Sequence, residues 1–285
     1  MKKFLLALLV SGSFAASAQL RLPQPSSAAS VSQTVGTTDI AIKYSRPNVR
    51  GREIFGALVP YDKVWRTGAN AATQITLSND VTVNGQKLAA GTYSIFSIPS
   101  QSEWTLIFNK DITASEQSYS QEKDALRVKA AASGIAKVES FSFDLSDITD
   151  STANLNFSWA DKKVSAKIGV ETTKMIEAAI TKAATDNANT MNNAAGFLLG
   201  KGKLEQALKL ANSSVGAVET FRNVWTKAQI LAKMNNFVEA VPLAQKALEL
   251  GKSDANFGFF KDAIEKGVAE WTTKLPVVNP IKKKK

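Results

Sequence analysis

Hydrophobic and polar residues alternate along the first half of the chain. From about Val31 to Val170 the apolar positions recur with a period of two, which is typical of strands with one buried face. Two clear runs are Ile40, Ile42 and Tyr44, and Phe141, Phe143 and Leu145. About nine short strands at this spacing predict an antiparallel sandwich or jelly-roll-like domain.

Two turns are predicted within this region. Asn84-Gly85 separates Val83 from Leu88, and Asn-Gly favours the positive φ angles of a tight hairpin. The runs 155–159 and 164–170 flank Ala160-Asp161-Lys162, so they are predicted to form a second hairpin.

From Thr172 onward the apolar period changes to about 3.6, which indicates helices. One predicted helix face consists of Met175, Ile176, Ala179, Ile180 and Ala183. Further helices are predicted over Met191–Leu199, Leu204–Ser214, Thr220–Lys233, Phe237–Leu248 and Asp254–Trp271.

The helical half contains a repeat at an offset of 33 residues. Ala195 falls on Ala228, and Phe197-Leu198 falls on Ile230-Leu231. This spacing resembles the tetratricopeptide repeat, although only two repeats are visible and Pro242 lies inside a predicted helix. A plain antiparallel helical bundle is the alternative.

These patterns predict an α+β protein with two domains. The predicted division is a signal peptide over 1–18, a linker over 19–30, a β domain over 31–171, a tetratricopeptide-like domain over 172–275 and a basic tail over 276–285. The domain boundary is placed near Glu171.

The first residues have the pattern of a secretory signal. Lys2 and Lys3 precede an apolar stretch, and Ala16-Ser17-Ala18 are small residues of the type that a signal peptidase accepts. The stretch is too short to span a bilayer, and no transmembrane segment is predicted. We therefore expect an exported protein, in the periplasm or outside the cell.

The net charge of +10 changes little in this picture. Two of the charges belong to the predicted signal and four to the run Lys282–Lys285, which leaves about +4 on the folded body. Nucleic-acid binding is not expected of an exported protein with this charge distribution.

An unusual segment runs from Tyr44 to Asn70 and contains four arginines, a tryptophan and two tyrosines. It is predicted to be a long ordered loop between strands. Its candidate ligand-binding residues are Arg46, Arg50, Arg52, Tyr61, Trp65, Arg66 and Asn70.

The same segment resembles a known family. The motifs Arg46-Pro47, Arg50-Gly51-Arg52, Ile54-Phe55-Gly56, Leu58-Val59-Pro60, Val64-Trp65-Arg66-Thr67-Gly68-Ala69-Asn70, Ala90-Gly91-Thr92-Tyr93-Ser94 and Ile98-Pro99 occur in order, after Gln24-Pro25-Ser26. They resemble the exported bacterial domain of unknown function DUF2911, over about Gln24 to Val170. The resemblance implies an envelope or secreted β domain, commonly followed by a helical repeat region, and implies no established activity.

The loop has two interpretations. In the functional one, the guanidinium groups bind carboxylate, sulfate or phosphate while Trp65 and Tyr61 offer ring faces to a sugar or a cation. In the structural one, the arginines bind loop carbonyls and acids such as Asp62 and Glu53, and so hold the segment against the sheet.

Few kinds of catalysis remain open to this composition. The chain has no histidine and no cysteine, which excludes Ser-His-Asp and Cys-His catalysis, histidine-ligated metals and disulfides. No cofactor and no metal site is predicted.

The leading hypothesis is a non-catalytic binding or scaffolding module for an envelope protein, a glycan or an anionic ligand. The alternative is a histidine-free glycoside hydrolase with a carboxylate pair, such as Asp62 with Glu53 or Glu103. The oligomeric state is left open.

Overall fold

The structure is a computed structural model that describes residues 22–276. The predicted signal over 1–18 and the lysine run 282–285 lie outside the described residues. Within that range the chain divides into two compact units, with the boundary between Thr172 and Thr173.

The first unit is a single antiparallel sheet of nine strands in the order β1-β2-β3-β6-β7-β8-β9-β4-β5. The strands are β1 (Ser27–Val35), β2 (Thr38–Arg46), β3 (Thr73–Leu77), β4 (Val81–Val83), β5 (Gln86–Leu88), β6 (Gly91–Ile98), β7 (Glu103–Asn109), β8 (Asp124–Ser146) and β9 (Thr152–Val170). A short 3-10 turn, Gln121–Lys123, precedes β8.

The second unit contains five helices. They are α1 (Thr172–Gly200), α2 (Leu204–Ala217), α3 (Phe221–Lys233), α4 (Phe237–Gly251) and α5 (Gly258–Thr272). The prediction of an α+β protein with a β part followed by a helical part is therefore confirmed.

The turn at Asn84-Gly85 is also confirmed. These two residues connect β4 to β5, with φ angles of 47° and 80°. Both angles are positive, as a two-residue hairpin turn of this kind requires.

The predicted hairpin around Ala160-Asp161-Lys162 is wrong, because residues 152–170 form the single strand β9. β9 follows β8 along most of its length, and Ala160 takes a φ of 50° without reversing the chain. The irregularity is in β8, which advances four residues between Gly134 and Val138 while β9 advances two. Extra residues of this kind bend a ladder without ending it. Ala160-Asp161-Lys162 therefore lies in a bent stretch of β9 and not in a turn.

Two other boundaries differ from the prediction. β1 begins at Ser27, so it includes part of the segment predicted as a linker over 19–30. The two helices predicted between Thr172 and Leu199 are the one continuous helix α1. Pro242 lies in the second turn of α4, near the helix N-terminus, where loss of one N–H interrupts few bonds.

The two units have cores of different composition. Large aromatic side chains fill the β unit, among them Trp104, Trp159, Phe96, Phe108 and Phe141. The helices instead approach one another through fully buried alanines, among them Ala195, Ala207, Ala211, Ala228 and Ala244. No helix within residues 22–276 has the length and apolar character needed to cross a membrane.

Candidate functional site

The candidate site is the irregular segment of residues 47–72, which connects β2 to β3. Backbone hydrogen bonds attach it to strands that are distant in sequence. Val49 N donates to Glu139 O at 2.8 Å, and Phe141 N donates to Pro47 O at 2.9 Å. Trp65 exchanges two bonds of 2.8 Å with Ser97 of β6. The segment thus has fixed attachments at its start and near its end.

Trp65 anchors the segment in the aromatic core. Its ring is 6% exposed and is stacked on Trp159 at a centroid distance of 5.9 Å, while Phe141 meets it edge-on at 5.6 Å. The indole Nε1 donates to Gly68 O at 3.2 Å. The functional interpretation expected a ring face open to a ligand, and this burial removes it. Burial of the ring in the core is the larger energetic gain.

Tyr61 also serves the packing of the loop. Its side chain is half-buried and packs against the core of the β unit. A Cβ added at Gly56 would lie 2.9 Å from Cε2 of the Tyr61 ring. Only glycine therefore fits at position 56 without a shift of that ring. Part of the Tyr61 ring is therefore covered by the protein itself, at Gly56.

The backbone of the segment is held in uncommon conformations. Four non-glycine residues have left-handed φ angles: Arg50 at 51°, Asp62 at 60°, Thr67 at 52° and Asn70 at 59°. Such residues cost about 1–3 kcal/mol each and persist only where the surroundings over-determine them. Thr67 is β-branched, and two buried hydrogen bonds hold it in this conformation. Its Oγ1 bonds to Ser97 Oγ at 2.9 Å, and its carbonyl accepts from Thr73 Oγ1 at 2.6 Å.

Arg66 is neutralised by an acid that the sequence did not suggest. Its Nε lies 3.0 Å from Glu116 Oε1 and its Nη2 lies 3.5 Å from Oε2, while Nη1 donates to Asn70 O at 2.7 Å. The structural interpretation named Asp62 and Glu53 as partners, but both are exposed and neither forms an ion pair within the described chain. Glu116 follows fifty residues later, and no local pattern indicates such a pairing.

Glu116 belongs to the segment between β7 and β8, which is itself held by polar contacts. Lys123 and Thr113 donate hydrogen bonds to Asp111, and these lower the pKa of that carboxyl to about 2. Burial and the hydrogen bond to Asp124 raise the pKa of Tyr119 to about 12. Both groups keep their ordinary charge state at neutral pH, so the segment that carries Glu116 retains these bonds.

A second network encloses the residues just before β1. Arg50 Nη2 donates to Pro25 O at 3.1 Å, and Asn70 Nδ2 donates to Ser26 O at 3.3 Å and to Ser45 Oγ at 3.2 Å. Because Asn70 O accepts from Arg66, the structure brings Arg50, Asn70 and Arg66 into one connected network.

Within the described part of the chain, the side-chain hydrogen bonds of Arg46 and Arg52 all go to backbone carbonyls. Arg46 Nε donates to Phe141 O at 2.9 Å. Arg52 donates from Nε to Val49 O at 3.1 Å and from Nη2 to Asn48 O at 2.6 Å. Among residues 22–276, no carboxylate lies within ion-pair distance of Arg46, Arg50 or Arg52. One carboxylate contacts this part of the loop through the backbone: Glu139 Oε1 accepts the backbone N–H of Arg50 at 2.8 Å.

The acids proposed for hydrolysis are not joined by any contact in the described structure. Glu103 lies 3.8 Å from Lys129 at the start of β7, whereas Glu53 and Asp62 are exposed in the loop. Over residues 22–276, no group of three or more acidic side chains is arranged to hold a metal ion.

Comparison with known proteins assigns the β unit to a family. The model of the family described as "Protein of unknown function (DUF2911)" matches residues 26–168, which is half of the chain, so the chain belongs to this family. The match includes the whole arginine-rich segment and eight of the nine strands in full. No curated protein and no solved structure matches the chain.

Proposed function

We propose that this protein is an exported, non-catalytic binding module that takes an anionic ligand on the surface of residues 46–70. The residues that contact the ligand are Arg46, Arg50 and Arg52. Arg66 and Asn70 hold the loop that carries them through their own hydrogen bonds. The ligand class is a carboxylate-, sulfate- or phosphate-bearing group on an envelope glycan or protein. The signal pattern that the sequence predicts over residues 1–18 supports a periplasmic or extracellular location.

The observation that carries the proposal is the bonding of the three arginines. Arg46, Arg50 and Arg52 are held by carbonyl oxygens and not by carboxylates. A carbonyl fixes the orientation of a guanidinium group and leaves its positive charge uncompensated. The remaining N–H groups form a planar fork that suits carboxylate and phosphate oxygens.

Preorganisation is the second support. The loop that carries these arginines is held in place by backbone hydrogen bonds at Val49 and Trp65 and by the buried indole ring of Trp65. A ligand that binds a fixed loop does not have to order it, so less of the interaction free energy is lost.

For the helical unit we propose a tetratricopeptide-like pair of repeats that holds a partner protein. Its support is the 33-residue offset, which equates Ala195 with Ala228, together with the complete burial of both alanines. A closely packed pair of helices needs a small residue at such a position.

The binding proposal is tested with the double variant R50A/R52A and the charge-matched control K87A/K137A. Arg50, Arg52, Lys87 and Lys137 are all exposed, but R50A/R52A also removes three hydrogen bonds to carbonyls, so binding is compared at a temperature below the unfolding transition of every variant. Binding of polygalacturonate and of dextran sulfate is measured by isothermal titration at two salt concentrations.

We expect R50A/R52A to bind one of these polyanions at least about tenfold more weakly than the control, since each hydrogen bond to a charged group contributes about 1.5–3 kcal/mol. The proposal fails if wild type binds neither polyanion, or if both variants lose affinity equally. An equal loss would indicate nonspecific attraction to the basic chain.

A further inference from the structure

Strand β1 forms one edge of the sheet, and its composition is unusual for an edge. It is nine residues long, Ser27–Val35, and contains neither a charged residue nor a proline. The opposite edge strand, β5, has only three residues and includes Lys87. Soluble proteins usually protect long edges with charges, prolines or bulges, because an open edge pairs with other strands. β1 has none of these features.

The hydrogen-bonding geometry shows which groups are open. β1 and β2 are joined by the two-residue turn Gly36-Thr37, and Val35 lies opposite Thr38 in a regular register. In such a hairpin the N–H and C=O groups of Val35 and of every second residue before it point toward β2. Those of Ala28, Ser30, Ser32 and Thr34 point to the free side of the sheet. None of these four residues has a backbone partner on that side among residues 22–276, although the Thr34 carbonyl accepts the Gln33 side-chain amide at 2.9 Å.

Side-chain burial gives an independent indication that something is missing beyond β1. Ala29 and Val31 face the core and pack against it, yet they are only half-buried. Their partners in the register of the next strand, Tyr44 and Ile42, are buried. A further strand alongside β1 would cover Ala29 and Val31 as β1 covers β2.

We propose that β1 pairs antiparallel with β1 of a second copy of this chain. An antiparallel pair of identical edges is related by a two-fold axis, so one surface supplies both halves of the interface. The strand has no charge to repel its own copy, and the side chains next to the edge are small: Ala28, Ser30, Ser32 and Thr34. The charged residues opposite β1 in the register, Asp39, Lys43 and Arg46, lie on β2, one strand further in.

The longest overlap of the two strands places the two-fold axis at Val31. Ser30 then lies opposite Ser32 of the partner subunit, and Ala28 opposite Thr34 of the partner subunit. Four residues on each copy contribute an N–H and a C=O, which gives about eight inter-strand hydrogen bonds once the Gln33 side-chain amide leaves the Thr34 carbonyl. A contact made by one strand from each copy is at the small end of specific interfaces, so we expect a dimer that dissociates reversibly on dilution.

The oligomeric state of the purified protein is measured by sedimentation velocity over a concentration series. Wild type is compared with S32P and S32A. Ser32→Pro removes an N–H that points away from β2, so it deletes inter-copy bonds while the β1–β2 ladder remains. Ser32→Ala keeps that N–H. We expect dimerisation at least about tenfold weaker in S32P and unchanged in S32A.

A second variant, S30K/S32K, tests the same contact in case S32P fails to fold. The exposed introduced lysines of one copy would face those of the other, so this variant is expected to be monomeric with an unchanged circular dichroism spectrum. Because the chain has no cysteine of its own, introduced cysteines also test which residues of the two β1 strands lie opposite each other. A mixture of S30C and S32C should form a disulfide-linked heterodimer faster than either variant alone forms a homodimer.

Two results would overturn the proposal. One is a wild-type protein that stays monomeric up to the highest concentration, which would leave β1 open to a foreign strand. The other is a dimer that persists in both S32P and S30K/S32K, which would place the contact on another surface.

Discussion

Residues 47–72 and the first half of α1 are held in opposite ways. The loop has no helix and only isolated bridges, yet Trp65, Thr67 and Gly68 are buried and its backbone bonds reach β6 and β8. The first half of α1 is regular, yet residues 173–183 are exposed apart from the half-buried Met175. Regular secondary structure and firm placement are therefore separate properties. Firm placement comes from burial and from long-range hydrogen bonds.

The largest test of this contrast is W65A. Removal of an almost fully buried indole from the aromatic core is expected to lower the free energy of unfolding by about 3–5 kcal/mol. The control is L58A in the same loop, where the side chain is 48% exposed, and it should change stability by less than about 0.5 kcal/mol. Urea unfolding followed by circular dichroism measures both. Similar losses in the two variants would contradict a loop anchored by Trp65.

Most of the strands and helices around these two regions could be predicted from the sequence. Period-two runs marked the strands, and period-3.6 runs marked the helices. The sequence could not predict which side of the loop faces inward. Trp65, Arg66 and Thr67 are consecutive, and only the tertiary structure determines that the first and third are buried while the second meets Glu116.

The remaining errors have a similar origin. Ala160-Asp161-Lys162 interrupts the apolar alternation as a turn would, but β8 pairs with β9 on both sides of these residues and β9 continues without reversal. The guanidinium partners could not be predicted either. They are backbone carbonyls and Glu116, and carbonyls have no sequence signature.

A smaller effect distinguishes the two halves of α1. Ala195 is completely buried in its second half, and a leucine there is expected to overpack the contact with α2 and α3, at a cost of about 1–3 kcal/mol. The matched substitution A179L, on the exposed first half, should change stability by less than about 0.5 kcal/mol. Thermal unfolding followed at 222 nm compares them. If A179L were as costly as A195L, residues 173–183 would be packed and the contrast would fail.

Amide hydrogen exchange of the native protein tests the central claim most directly, namely that the arginine-bearing loop is a fixed platform. The amides of Val49, Asp62 and Trp65 donate to Glu139, Pro99 and Ser97 at 2.8–3.0 Å. We expect them to exchange as slowly as the strand amides of β6, and at least about a hundredfold more slowly than the amides of residues 176–183 in α1. Loop amides that exchange as fast as those of α1 would contradict the account.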